Sequence, residues 1–247
     1  MSKKKTKYNR VLLKISGEAL AGKKGFGIDP GAVDKIANEI IDAKETGIEL
    51  AVVVGGGNFW RGAQEQKVMN LNRVTSDYIG MLSTITNAML LQDVLERKGA
   101  LTRVQSAIEA YKLCEPYVPK KAIQHLKKGR IVIFAGGTGN PYFTTDTTAA
   151  LRANEIKADV ILKATQVDGV YTDDPRKKPG AKKYRTLSFT EAIQKRLKVM
   201  DTTAFTLCMD NNLPIVVFDL HKRGNIARVI NGEKIGTIVT NRRSEFI

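Results

Sequence analysis

The sequence predicts an α/β fold with a mostly parallel central sheet sandwiched by helices. Three observations predict it. Seven apolar, strand-like runs recur along the chain: Val11–Ile15, Leu50–Val54, Leu101–Val104, Ile131–Phe134, Val160–Leu162, Ile215–Phe218 and Thr237–Thr240. Helix-like segments lie between most of them, and such alternation favours parallel strands covered on both faces. The chain has 247 residues and 43% hydrophobic content, which suits a sizeable core.

In chain order, MSKKKTKYNR opens the sequence as a basic, solvated arm with no apolar segment of the secretory type. The first strand runs into Lys14-Ile15-Ser16-Gly17-Glu18. Lys14 at a strand end is either a snorkelling lysine or a phosphate clamp. The spacing Gly17, Gly22, Lys23 approaches a P-loop, but Lys24 stands where a magnesium-binding Ser or Thr belongs, so that motif is rejected. Asp29-Pro30 opens a helix whose Val33, Ile36, Ala37, Ile40 and Ile41 share one face, and Gly47 closes it.

The second strand breaks into Gly55-Gly56-Gly57-Asn58. A tight turn needs one glycine, rarely three, so close approach to a ligand is the sharper reading. Arg61 and Gly62 follow, and an arginine there suits bidentate phosphate binding or plain solvation. The next helix spans about Ser76 to Lys98, with Met81, Ile85, Leu90, Leu91 and Val94 along it. Asp77 near its start is either a dipole partner or an acceptor for ribose hydroxyls.

The run Arg130–Thr148, RIVIFAGGTGNPYFTTDTT, is the most informative. A buried strand ends in glycines, then hydroxyls surround one acid, Asp146, at the start of the Ala-rich helix TTAALRANEI. Strand ends of open α/β sheets are where ligands bind, and Ser, Thr or Asp at a helix start caps its N–H groups. Asp146 therefore reads as a cap, as a site residue, or as both. The dinucleotide fingerprint fails twice, at Trp60 and at Tyr142, which argues against a dehydrogenase. Further on, Leu162 to Pro175 carries Lys163 at another strand end, then Asp-Gly and Asp-Pro turns for which a hairpin is the plain reading. The polar segment 172–186 reads as a long exposed loop.

Composition bounds the partners. No run approaches the length of a membrane-spanning helix. Cys114 and Cys208 lack metal-site spacing and fit buried thiols in a reducing cytoplasm. Net charge is +15, but the basic residues are scattered and no nucleic-acid motif accompanies them. A basic surface around a site for anionic small ligands is favoured over dedicated nucleic-acid binding.

Four segments taken together, KISGEA, VVVGGGNFWRG, AGGTGNPYFTTDTTAALRANEI and VILKATQVDGVYTDDP, resemble the amino-acid kinase superfamily. Within it the chain closely resembles the bacterial UMP kinases, from about Val11 to about Thr240, and TGNPYFTTD is the most specific piece. The resemblance implies transfer of the γ-phosphoryl group of ATP to UMP, in pyrimidine nucleotide biosynthesis, with magnesium entering alongside ATP. It implies a basic arm over 1–9 and one domain over 10–247, its N-terminal half mainly the UMP side and its C-terminal half mainly the ATP side. It implies catalytic roles for Lys14, Asp146 and Arg61. ATP would be held by Lys14, Ser16, Gly17, Gly57, Arg61, Thr165, Tyr171 and Asp174, with Lys163 a further cation. UMP would be held by Gly56, Asp77, Thr138, Gly139, Asn140, Pro141, Tyr142, Phe143, Thr144 and Thr145. No residue is assigned to the metal directly. Gln166 departs from the lysine or asparagine expected beside the adenine. The resemblance also implies a cytoplasmic homohexamer, with GTP as candidate activator and UTP as candidate inhibitor.

Overall fold

The computed structural model describes residues 6–61, 68–175, 177–197 and 199–247. Residues 1–5 of the expected arm, Gly62, Arg176 and Lys198 lie outside them. The rest of the arm is docked: the Lys7 N–H donates to the Ile230 carbonyl and Tyr8 is buried.

The N-terminal half carries β1 (Arg10–Ile15), α1 (Gly17–Ala21), α2 (Pro30–Glu45), β2 (Glu49–Val54), α3 (Arg73–Arg97), β3 (Thr102–Ser106), β4 (Glu115–Pro116), α4 (Pro119–Lys127) and β5 (Ile131–Ala135). The C-terminal half carries α5 (Thr145–Glu155), β6 (Val160–Thr165), β7 (Tyr184–Ser188), α6 (Phe189–Gln194), α7 (Thr202–Asp210), β8 (Ile215–Asp219), α8 (Asn225–Ile230), β9 (Thr237–Thr240) and β10 (Glu245–Phe246). The strands form one ten-stranded sheet, ordered β10-β7-β9-β8-β6-β1-β2-β5-β3-β4. Among these strands β8–β9 and β10–β7 pair antiparallel and the other neighbours pair parallel.

The expected strands are all present, with ends shifted by up to three residues. Three were not read from the sequence: β4, β7 and β10. The loop expected over 172–186 is corrected at its end, because Tyr184 opens β7 and is fully buried. The local signal was polar since Lys183 and Arg185 flank it, while Tyr184 joins the apolar cluster of Leu187, Phe189 and Val239 and stacks on Phe246 at 4.5 Å between ring centroids.

Side chains alternate across a strand, so the sheet has two distinct faces. Val11, Leu13 and Ile15 meet α2, α3 and α8 on one face. Leu12, with Ala51, Val53 and Ile161, meets α4 to α7 on the other. Lys14 shares the parity of Leu12, and Lys163 that of Ile161. Both lysines therefore continue the second apolar row at its carboxyl end, beneath α5. The small side chains Ala149, Ala150 and Ala153 let α5 press closely onto these strands.

Candidate active site

The carboxyl ends of β1, β2, β5 and β6 share one edge of the sheet, and the expected site residues gather there. Lys14 and Lys163 are in-register partners on β1 and β6. The first turn of α5 brings Asp146 between them: its Oδ1 lies 2.9 Å from Lys14 Nζ and its Oδ2 2.7 Å from Lys163 Nζ. Lys163 Nζ also donates to the Val199 carbonyl. Both lysines are 9% exposed. Burial pushes the Asp146 carboxyl up, yet the two lysines together hold it below the usual carboxylate range. Burial, and next the charge of Lys14, push the Lys163 amine down. Two cations and one anion leave a net positive array, which suits a polyanion.

Asp146 does not cap α5. Thr144 does, its Oγ1 accepting from the Asp146 and Thr147 N–H groups at 3.1 and 3.2 Å. The cap reading of Asp146 is thus corrected; its carboxylate is committed to the lysines. Asp201, not singled out in the sequence, holds this turn from outside. It accepts from Thr144 Oγ1 and from Thr147 Oγ1 at 2.9 Å, and caps α7 through the Ala204 N–H. Its signal was an Asp directly before Thr-Thr-Ala and an apolar run, a capping pattern.

The glycine turn after β2 is locked by two buried asparagines. Asn87 Nδ2 donates to the Gly55 carbonyl and to Asn58 Oδ1, both at 2.7 Å, and Asn58 Nδ2 returns a bond to Asn87 Oδ1 at 3.0 Å. Asn87 is fully buried on the face of α3 that also buries Ser83, Thr84, Ala88 and Leu91, and an amide just before the apolar run Ala88–Leu91 was its signal. The glycines divide by cause. A Cβ on Gly17 would meet Asn58 Oδ1 at 2.5 Å and the Gly57 nitrogen at 2.7 Å. One on Gly56 would meet the Gly80 carbonyl at 2.8 Å. Packing therefore explains both. At Gly57 nothing lies nearer than Glu18 Cγ at 3.8 Å, so the missing side chain leaves backbone open to the site. Arg61 lies over this turn, 3.3 Å from Glu18 Oε1 and 45% exposed. Such a solvated pair is weak and exchanges readily for a phosphate. Ser16 precedes α1 and makes no capping bond with its side chain.

The loop after β5 turns on Gly136, Gly137 and Gly139, with φ of 72°, 60° and 85°. Thr138 Oγ1 bonds Asn140 at both its carbonyl and N–H. Asn140, Tyr142, Phe143 and Thr144 are exposed, while Pro141 and Thr145 are half-buried. Asp77 reaches this loop from α3: Oδ2 accepts from the Tyr142 N–H at 2.7 Å and both oxygens accept from Arg73 Nε. Asp77 lies a full turn inside α3, which Asn72 caps, so it is not the helix-start dipole partner. The contact holds Tyr142 at a φ of 72°, a left-handed value unusual outside glycine.

At the end of β6, Thr165 Oγ1 donates to the Val167 carbonyl at 2.8 Å. Tyr171 Oη donates to Asp168 Oδ1, and Lys183 pairs with Asp168 Oδ2 at 2.9 Å. An antiparallel Tyr171–Lys183 bridge closes a long loop around Asp174-Pro175, whereas β6 and β7 do not pair across Asp168-Gly169. Asp174 is exposed in that loop, its N–H on Asp173 Oδ1.

Residues 9–219 match the Amino acid kinase family. Three solved structures are similar over nearly the whole chain. The UMP kinase from Bacillus anthracis is 40% identical with a TM-score of 0.95, covering 97% of this chain and 99% of its own. The UMP kinase from Ureaplasma parvum is 37% identical with a TM-score of 0.88, covering 94% and 98%. The uridylate kinase from Archaeoglobus fulgidus is 30% identical with a TM-score of 0.73, covering 94% and 100%.

Proposed function

Since this chain belongs to the amino acid kinase family, we propose that it transfers a phosphoryl group from ATP to UMP, giving UDP and ADP. The observation that carries the reading is the buried Lys14–Asp146–Lys163 array at the strand ends. The likeness to three kinases named for UMP or uridylate supports the acceptor.

The chemistry asks little of a base. The UMP phosphate has a second pKa of about 6 and is mostly dianionic at neutral pH, so it attacks without losing a proton. Two polyanions must instead be brought in line and their repulsion offset. On this reading Lys14 and Lys163 stabilise charge on the transferring phosphoryl group, and Asp146 fixes where their amines point. Gly17 and Gly57 lie against the phosphates of ATP with Arg61 as a phosphate clamp, Gly56 contacts the UMP phosphate, and Asp77 takes the ribose. Residues 138–145 enclose the uridine, while Thr165, Tyr171 and Asp174 line the adenosine side. The N-terminal half then serves mainly the acceptor and the C-terminal half mainly the donor.

Among the described residues there is no group of three or more His, Cys, Asp or Glu able to hold a metal. Magnesium would arrive on the triphosphate, held chiefly by phosphate oxygens and water. When bound, the ion neutralises phosphate charge. No helix among the described residues is long and apolar enough to cross a membrane. A cytoplasmic homohexamer answering to GTP and UTP is the assembly we propose, and light scattering with assays in either nucleotide tests it.

ADP release with ATP and a panel of UMP, CMP, carbamate and N-acetylglutamate tests the reading. UMP should be the preferred acceptor by far; carbamate or an amino acid in its place would refute the assignment.

A further inference from the structure

Arg152 is an unusual occupant of its helix face. It is 4% exposed, on a face it shares with Thr148, Ala149, Glu155 and Ile156. Its guanidinium carbon lies 3.8 Å from the Tyr117 ring centroid, a close cation–π stack. Nη1 donates to Glu155 Oε2 at 2.7 Å, and the same oxygen accepts from Tyr117 Oη at 2.5 Å. Nη2 points the other way, to the carbonyls of Gly137 at 3.3 Å and Thr138 at 3.5 Å.

A purely structural account explains the stack but not the direction of Nη2. Buried ion pairs contribute little net stability, and an apolar residue could fill the same volume. What arginine adds is a rigid fork that satisfies one partner while aiming at another. Here the second partner is the backbone of the loop after β5. Gly136 and Gly137 both have left-handed φ values, and consecutive flexible residues need an outside contact to select one peptide orientation. The Gly136 end is fixed by its N–H on Thr84 Oγ1 at 2.8 Å, and the far end by Tyr142 on Asp77. Arg152 fixes the middle. In a planar trans peptide the carbonyl and the following N–H point in opposite directions. With the Gly137 carbonyl turned to Arg152, the Thr138 N–H is turned away from it. Among the described residues no acceptor takes that N–H.

We propose that Arg152 is the positioning residue of this loop. It orients the Gly137–Thr138 peptide so that the Thr138 N–H is presented to the acceptor nucleotide, while never touching that nucleotide itself. The inference rests on the reading of residues 138–145 as the acceptor wall.

Steady-state kinetics of Arg152→Met and Arg152→Lys, with either substrate varied, test it. A misplaced loop weakens acceptor binding and leaves the donor side alone. Arg152→Met should raise the KM for UMP roughly ten- to a hundredfold, with the KM for ATP near that of the unaltered protein. Arg152→Lys, which keeps the charge but loses the fork, should fall between the two. A structural role would lower kcat with the folded fraction and leave both KM values in place. UMP titration of the fluorescence of Trp60, the only tryptophan, gives the same comparison without turnover. Should the methionine variant not fold, the lysine variant decides alone. An unchanged UMP KM in a folded variant, or equal rises for UMP and ATP, overturns the proposal. If the unaltered protein ignores UMP and phosphorylates another acceptor, the acceptor reading has failed. The effect on that acceptor's KM then judges Arg152 separately.

Discussion

Lys14 and Lys163 stand at matching register positions on adjacent parallel strands, and one carboxylate, Asp146, contacts both amines within 3 Å, at 2.9 and 2.7 Å. Two like charges at such a spacing repel unless an anion lies between them. The arrangement stores positive charge at the point where two nucleotides would meet.

Replacing either lysine by alanine should therefore lower kcat by about a hundred- to a thousandfold. Affinity for UMP, set by the loop after β5 and by Asp77, should change little. Turnover near that of the unaltered protein in Lys14→Ala would remove Lys14 from the chemistry.

The pH dependence follows from Lys163. Burial first, and Lys14 second, lower its pKa from the ordinary lysine value of about 10.4. A lowered amine loses its proton earlier as pH rises, so kcat/KM should fall on an alkaline limb below that value. The charged amine also costs stability at neutral pH, a cost relieved as pH rises through the folded pKa. Lys163→Arg keeps the charge and should move the limb upward; an unmoved limb would assign it to another group.

Thr144 and Asp146 separate cap from site. Thr144→Ala should cost about 1 kcal/mol for the lost cap, visible as a lower Tm, with Thr144→Ser restoring it. Asp146→Asn leaves two buried cations facing each other and should cost about 3–5 kcal/mol along with most of the turnover. The sign of the pH effect is set by the lowered carboxyl. Its stabilisation is present above the unfolded pKa of about 3.9 and is lost as pH falls through the lower folded value.

The sequence made much of this legible. Strand periodicity is local, so β1, β2, β3, β5, β6, β8 and β9 were readable from their apolar runs. Strands β4 and β10 are two residues each and exist only through their neighbours. The four glycine- and lysine-bearing strand ends were readable because backbone that must turn sharply needs glycine. The division of labour among them was not. Lys163 ranked below Lys14 along the chain, and only register makes the two equivalent. Asn87 acts across 29 residues, Arg152 across 14 and 15, and Asp201 on Thr144 across 57, distances no local pattern encodes.

The glycines give a paired test. Gly57→Ala places its methyl in ordinary contact with Glu18 at 3.8 Å and should leave Tm nearly unchanged while weakening ATP binding. Gly17→Ala meets backbone below 3 Å and should lower Tm by itself. A fully active Gly57→Ala protein would show that close phosphate approach is not the reason for that glycine.

The most direct measurement follows the phosphoryl group itself. ATP labelled in its γ-phosphate is incubated with UMP and the protein, beside the Lys14→Ala and Lys163→Ala variants, and products are separated. Label should appear in the β-phosphate of UDP, in step with ADP, and fade with either lysine. Label released only as free phosphate, or transferred equally well by the variants, would contradict the account.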